Sequence, residues 1–367
     1  MDKVSELKKS LAKCFDWNKA RLDCFARLLL ALYTVRTVNL KHIADGFCSR
    51  ADKESRYRRL KRFFCEFDFN FNLLAQFIFS WFFSSSSKVY LIIDRTNWWW
   101  GKSPINILTL SIAYEGMAIP LFWTLIPTGG QSKRKDQIKI IKRFVNVFGI
   151  EKIAGVLADR EFVNGRFFRW LNASKIPFYI RLKNNSKICV FKHFFRRADW
   201  FFTDLNPKTS SFFGAIVSIF GQRLYLAGSR SERGELMIVA TNQHPRNAIA
   251  IYLRRWEIEN LFQGLKGRGF NFEDTHLIRA EKIEKLMALL SLAFCWAHKI
   301  GEWKAIKKPI LLYQYRHQKR PQYTYFRYGL DYLRDAIINL VYRKNEFKKC
   351  LELLDFGLKT FLRDPVS

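Results

Sequence analysis

The chain has 367 residues, 49% of them hydrophobic, which is enough for a large buried core with satellite domains and excludes a disordered tail. Lysine and arginine number 63 against 32 aspartates and glutamates, a formal net charge of +31, and an excess of that size repels itself unless a polyanion is bound. Aromatic residues make up 16% of the chain and are spread along it rather than gathered in one amphipathic segment, which favours nucleic acid over anionic lipid as that polyanion.

The first six residues, Met1-Asp2-Lys3-Val4-Ser5-Glu6, lack the apolar core of a signal peptide. Residues 1–83 read as a helical DNA-binding domain, with apolar positions at helical spacing through Phe25, Leu28, Leu29 and Leu32 and again through Leu73, Phe77 and Trp81. Between them, residues 39–47 read as a short helix that Gly46 helps to end. Asp52 can cap a second helix carrying Arg56, Arg58, Arg59, Lys61 and Arg62. That pair suits a helix-turn-helix docking on DNA; the alternative is a solvated basic helix packed by Tyr57, Leu60 and Phe63.

The serine run 84–87 reads as a linker, after which the pattern changes from helix to strand. Residues 84–185 are expected to form the first part of a catalytic core, with strands at 89–93, 105–114 and 118–125, a helix at 135–148, a strand at 153–158, a helix at 165–171 and a strand at 178–182. That order is the one expected of an RNase H-like domain, an analogy at the level of fold. Residues 186–245, with strand-like pieces at 188–191, 224–227 and 236–241, read as a β-rich insertion. A strong helix starts near Pro245 and opens the second part of the core, residues 246–300. The run 286–297 falls short of the roughly 20 residues that cross a bilayer and reads as a buried helix, so no membrane partner is expected. Residues 301–367 form a basic helical region, with Lys304, Lys307, Lys308, Arg316, Lys319, Arg320 and Arg327 and no carboxylate between about 303 and 330. The fold class expected is α/β: an RNase H-like mixed sheet flanked by helices, an inserted β-rich subdomain and an all-α N-terminal region. The seven cysteines are odd in number and form no C-x-x-C pair, which suggests neither a disulfide framework nor a zinc knuckle and fits a reducing cytoplasm.

Asp94 and Asp159 each end an apolar strand, where side chains leave the core and can meet at one rim of a sheet. Arg95 and Arg160 follow directly, so strand-end ion pairs are the competing explanation. On the helix of residues 247–266, at about 100° per residue, Tyr252, Arg255, Glu259 and Lys266 fall within roughly a 60° arc, beside a stripe of Ile251, Ile258, Leu261 and Leu265. Glu257 points about 160° away from Glu259, which singles out Glu259 as the third candidate ligand. Surface pairing of Arg255 with Glu259 at i,i+4 is the alternative.

The stretch Tyr252-Leu253-Arg254-Arg255-Trp256-Glu257-Ile258-Glu259, continuing through Phe262, Lys266, Gly269 and Phe270 to Thr275-His276-Leu277, resembles the YREK signature of DDE transposases in family four of the bacterial insertion sequences. The intervals Y-x2-R-x3-E-x6-K are all met. Ile93-Asp94-Arg95-Thr96-Asn97-Trp98 resembles that family's first-aspartate segment, and Ala158-Asp159-Arg160-Glu161-Phe162 with Ile180-Arg181-Leu182-Lys183 resembles its second. The likeness extends to the N-terminal basic helix pair and to Arg327-Tyr328-Gly329-Leu330. The chain is compact for the family, and its β insertion is hard to align.

The resemblance implies cut-and-paste transposition, with Asp94, Asp159 and Glu259 as catalytic ligands of two divalent ions, Mg²⁺ or Mn²⁺, Asp94 bridging them. Tyr252, Arg255 and Lys266 would grip terminal phosphates. It implies double-stranded DNA partners, namely terminal inverted repeats and target DNA, and a homodimer in the synaptic complex. It also suggests Trp200, in the inserted segment, as an aromatic wedge for a flipped base. Trp98, Trp99 and Trp100 read as core or rim packing, with base stacking as the alternative, and His276 reads as structural or DNA-facing. Another RNase H-like nuclease or resolvase, or a domesticated DNA-binding protein without turnover, are the alternative functions.

Overall fold

Short polar side chains set the start of each N-terminal helix. In α1 (Lys3–Ala12), α2 (Lys19–Val35), α3 (Leu40–Gly46), α4 (Lys53–Glu66) and α5 (Phe71–Phe82) the cap is Asp2, Asn18, Asn39, Asp52 and Asn70 respectively, each accepting from a backbone amide of the first turn. The computed structural model describes residues 2–127, 130, 132, 134–191, 194–315 and 318–363. Arg316 of the basic tail lies outside the described residues. By backbone proximity the chain divides into two units, Met1–Ser85 with Trp98–Ser103 and Phe262–Ser367, and Ser86–Asn97 with Pro104–Leu261. The first boundary falls inside the serine run.

In the first unit α3 and α4 form the helix pair expected around Gly46 and Asp52. Gly46 serves a different end from the one its type suggests. It is the last residue of α3, not a left-handed cap, and a Cβ there would meet Val35 Cγ1 of α2 at 2.9 Å. The glycine permits close packing of α3 on α2 and does not act as the stop signal.

The second unit is built on one sheet. Its strands are β1 (Val89–Trp100), β2 (Ser103–Tyr114), β3 (Met117–Leu125), β4 (Ile153–Ala158), β5 (Phe178–Leu182), β6 (Lys187–Phe191), β7 (Phe194–Arg197), β8 (Ser210–Ile219), β9 (Gln222–Arg230) and β10 (Leu236–Thr241). Among the described residues these ten run in the order β3-β2-β1-β4-β5-β10-β9-β8-β6-β7. β1, β4 and β5 are parallel, whereas β10 joins β5 antiparallel. The strands of residues 186–245 therefore continue the core sheet through β10. β1 is longer than its apolar run, continuing past Asp94 to Trp100.

Helices α6 (Arg134–Phe148) and α7 (Gly165–Ala173) belong to this unit, α6 placing the Arg143 guanidinium 4.4 Å from the Phe122 ring of β3. The expected continuous helix of residues 247–266 is interrupted. α8 (Ala248–Leu253) gives way to a 3-10 turn at Arg254–Trp256, and α9 (Glu257–Leu265) resumes after it. Ile258, Leu261 and Leu265 are buried, as the apolar stripe requires.

The first unit closes with α10 (Ala280–Lys307), a hairpin of β11 (Leu312–Tyr315) and β12 (Gln318–Pro321), α11 (Tyr325–Ile338) and α12 (Lys344–Arg363). Residues 286–297 are all buried in α10, the core of this unit. The Trp296 indole donates to the Cys350 carbonyl at 2.9 Å and the Tyr33 hydroxyl to the Ala293 carbonyl at 2.7 Å. α11 crosses α10 closely at Gly329 and Gly301, because a Cβ at either would overlap a carbonyl oxygen of the facing helix, that of Ala297 or of Tyr325. No helix among the described residues is long and apolar enough to cross a membrane.

Candidate active site

Strand register assembles the site. Ile93 of β1 pairs with Ala158 of β4, and Ala158 pairs with Ile180 of β5. The next residue on each parallel strand is Asp94, Asp159 and Arg181, so two carboxylates and a guanidinium stand in a row where the buried stretches end. Asp159 also caps the 3-10 turn Arg160–Phe162, its Oδ1 accepting from the Arg160 amide at 2.7 Å.

Arg255 organises this rim. Its Nη1 donates to Asp94 Oδ2 at 2.9 Å and its Nη2 to Glu259 Oε1 at 3.0 Å. The guanidinium side chain is only 7% exposed, whereas Glu259 is 55% exposed. The 3-10 turn that breaks the helix carries Arg255, so the turn and the first residues of α9 present Arg255 and Glu259 together. Burial pushes the Asp94 carboxyl up to about 6, against the pull of Arg255 and of the Arg95 amide, while Glu161 and Asp159 push it the same way as burial. Arg95, which the alternative of strand-end ion pairs would set on Asp94, turns instead to Glu161 in a two-pronged contact at 2.8 Å and 2.8 Å and to Asn106 at 3.1 Å.

Tyr252 of α8 is buried, and burial pushes its phenol up to about 12; Asp159 adds to that shift while Arg255 and Arg181 oppose it. Among the described residues, three buried polar atoms in this cluster, Tyr252 Oη, Arg255 Nε and Arg181 Nε, find no hydrogen-bond partner. Such atoms are rare in native proteins and call for an explanation. All three can donate, and Tyr252 lies close enough to Arg255, Asp159 and Arg181 to feel their charges, which is the chemistry of a site that receives an anionic oxygen.

Glu257 lies elsewhere on the same turn. It accepts from the Tyr114 amide of β2 and from Arg254 Nε at 3.3 Å, and burial raises its pKa. It ties the start of α9 to the β2–β3 turn, with Asn260 Nδ2 donating to the Gly116 carbonyl at 2.8 Å beside it.

Other expected site residues are distributed differently. Lys266 belongs to the first unit, where its ammonium pairs with Glu273 at 2.8 Å and lies 5.3 Å from the Trp98 ring. Trp98 is buried against Phe272, Trp100 stacks on His276 at 4.1 Å, and Trp99 is exposed. Trp200 is half exposed at the mouth of a cavity of about 1020 Å³ that Arg196, Arg197, Arg230 and Lys187 also line, the Arg196 guanidinium 5.6 Å from its ring.

On α4 the basic residues divide. Arg59 donates to Asp23 at 3.0 Å and to the Ala20 carbonyl at 3.2 Å, Arg56 to the Phe47 carbonyl at 3.2 Å, and Arg58 pairs with Glu54 at 3.4 Å. Arg59 is thus tied to α2, while Lys61 and Arg62 remain exposed.

A divalent metal would have to share this rim with Arg255. Among the described residues no group of three His, Cys, Asp or Glu side chains is gathered tightly enough to hold a metal ion. The donor chemistry fits nonetheless: Asp94 and Glu259 turn hard carboxylate oxygens onto one positive centre, and Asp159 stands beside Asp94 on the neighbouring strand. The sequence gives Arg181 no role of its own beyond its place in the Ile180-Arg181-Leu182-Lys183 segment, because its signal lies in the pairing of strands and not in the spacing of residues. Counting one residue past the paired apolar runs of β4 and β5 would have found it.

A family model described as the transposase DDE domain matches residues 86–296, more than half of the chain. A search of curated proteins finds no match. Members of such a family act on DNA as nucleases or transposases and generally use divalent metals, in keeping with the basic composition and the carboxylate rim. The chain belongs to the DDE transposase family.

Proposed function

We propose that the protein is the transposase of a family-four bacterial insertion sequence, cutting the element out and joining its ends to target DNA in the cytoplasm. The observation that carries this reading is the Arg255 guanidinium bonded at once to Asp94 and Glu259, with Asp159 next to Asp94 in strand register. Asp94, Asp159 and Glu259 would hold two divalent ions, Mg²⁺ or Mn²⁺. When bound, such ions supply Lewis-acid stabilisation of the attacking and leaving oxygens of a phosphodiester.

The chain's own residues position the substrate. Tyr252, Arg255 and Arg181 carry donors without a partner among the described residues and would hold the phosphate beside the cut. Lys266 would hold a neighbouring phosphate as a point charge. The first cut frees a 3′-hydroxyl, and a transposase must keep that end aligned until a second phosphodiester arrives. A homodimer bound to two terminal inverted repeats serves that need, and Trp200 beside Arg196 offers a face on which an unpaired base can stack. A resolvase or other RNase H-like nuclease would share the carboxylates without needing this set of phosphate donors.

The test is a staged assay on labelled element ends in Mg²⁺, scoring nick, hairpin and strand transfer separately. Asp94→Ala, Asp159→Ala and Glu259→Ala are each expected to abolish cleavage while leaving end binding intact. Wild-type protein that only degrades DNA and never yields a joined species, with matched ends supplied, would turn the reading toward a nuclease.

A further inference from the structure

The helical unit holds a cavity of about 270 Å³ that the carboxylate chemistry does not use. Four cations line it: Lys41 of α3, Lys61 of α4, and Arg279 and Lys282 at the start of α10. No aspartate or glutamate lines it, and among the described residues none of the four is ion-paired with a carboxylate. Like charges crowded around one small concavity repel one another, and an anion entering it turns that repulsion into attraction.

The walls are held in place. Thr37 Oγ1 donates to Asp274 Oδ2 at 2.7 Å, Asn39 Nδ2 lies 3.2 Å from His276 Nε2, and the His276 ring stacks on Trp100. The segment entering α10 is thereby pinned to the start of α3. Asp274 is occupied by these contacts, lying 3.7 Å from His276, and does not line the cavity.

Two further features suit an anion. α10 is 28 residues long and no side chain caps its N-terminus; the Lys282 and Ile283 amides bond the Arg279 carbonyl, and the amides before them have no side-chain cap. Tyr57 also lines the cavity and carries a hydroxyl donor, its ring 5.5 Å from the Lys61 ammonium. Glu281, in the first turn of α10, is exposed and does not line it.

We infer that this cavity is a binding site for one phosphate group, and that its occupant is a backbone phosphodiester of duplex DNA held between α4 and the start of α10. The inference rests on DNA being the substrate and deepens that reading. On α4, where Arg56, Arg58 and Arg59 are engaged by protein groups, Lys61 is the basic residue among those that line the cavity.

The experiment uses the full chain and a Lys41→Gln/Lys282→Gln double variant without divalent metal. Affinity for a nonspecific duplex is measured by fluorescence anisotropy over a KCl series. The variant is expected to bind more weakly, with a slope of log affinity against log salt flatter by about one, the contribution of one phosphate. A Lys41→Arg/Lys282→Arg pair should restore both, which a folding defect would not allow. In parallel, inorganic phosphate at constant ionic strength is titrated against the melting temperature of each protein. A flatter duplex slope supports the phosphodiester, whether or not free phosphate also stabilises the wild type. An unchanged duplex slope with stabilisation by inorganic phosphate in wild type alone would overturn the DNA assignment in favour of free phosphate. An unchanged slope with no phosphate response would overturn the site. Cleavage plays no part in these readouts, so a failure of the transposase reading in the staged assay stays distinguishable from a failure here.

Discussion

At the residue scale the site turns on a buried cation among acids. Asp94 has its pKa pushed up to about 6 chiefly by burial, above the ordinary carboxylate range of the unfolded chain. A group raised in this way contributes stability below its unfolded pKa and loses it as pH climbs through its folded pKa. In EDTA, wild type is therefore expected to lose roughly 3 kcal/mol between about pH 4 and pH 7 relative to Asp94→Asn. Parallel pH profiles of denaturant midpoints for the two proteins would contradict the burial of this carboxyl. Arg181 makes the second prediction at this scale. Its buried Nε has no partner among the described residues, and the residue follows the register that places Asp94 and Asp159 side by side. Arg181→Ala is expected to lower the cleavage rate roughly 100-fold, the scale seen when one donor to a reacting oxygen is removed. Duplex affinity should barely change, and an undiminished single-turnover rate would return Arg181 to a structural role.

At the element scale, the broken helix matters more than the residues it carries. A uniform rotation of about 100° per residue predicts one face for Tyr252, Arg255 and Glu259. The protein reaches a similar result through a 3-10 turn at Arg254–Trp256, which the spacing of apolar residues does not reveal because Ile258, Leu261 and Leu265 still fit a helical stripe. Glu257 is read from sequence only as the carboxylate that faces away. In the fold it is buried and accepts from the Tyr114 amide, so Glu257→Ala should cost about 1–3 kcal/mol by stranding that amide. Turnover per folded molecule should stay near wild type; a loss of turnover without a drop in melting temperature would show that Glu257 acts in the chemistry. The same contrast explains what else was legible. β4 and β5 are plain in sequence because both are short, apolar and buried in the middle of the sheet. β8 is not, since most of its residues are exposed and no two-residue alternation survives. The tail of β1 past Asp94 escaped notice because polar and aromatic residues there carry the strand after its apolar run ends. Strand ends and one helix face single out Asp94, Asp159 and Glu259 as candidates, but the placement of Arg181 and the engagement of Arg59 by Asp23 depend on pairings between distant segments that one-dimensional patterns do not contain.

At the scale of the whole molecule, the net charge of +31 has two opposite consequences. Without DNA, like charges on the folded chain repel, so added salt should stabilise the protein by screening them. With DNA bound, the same charges hold phosphates and release counterions, so added salt should remove stability along with the ligand. The sign of the salt effect on the melting temperature is therefore expected to reverse when duplex is present. At about 50 mM KCl, a nonspecific duplex at about 100 times its dissociation constant should stabilise the fold by about 2.7 kcal/mol, and this gain should fade as salt weakens binding. Among the carboxylates, Glu161, Asp23, Glu257 and Glu273 are already paired with arginine or lysine within their own units, which leaves a large cationic excess to be met from outside. A melting temperature that rises with salt to the same extent with and without duplex would mean that the excess charge is not neutralised by nucleic acid, and the link from composition to function would fail at its first step.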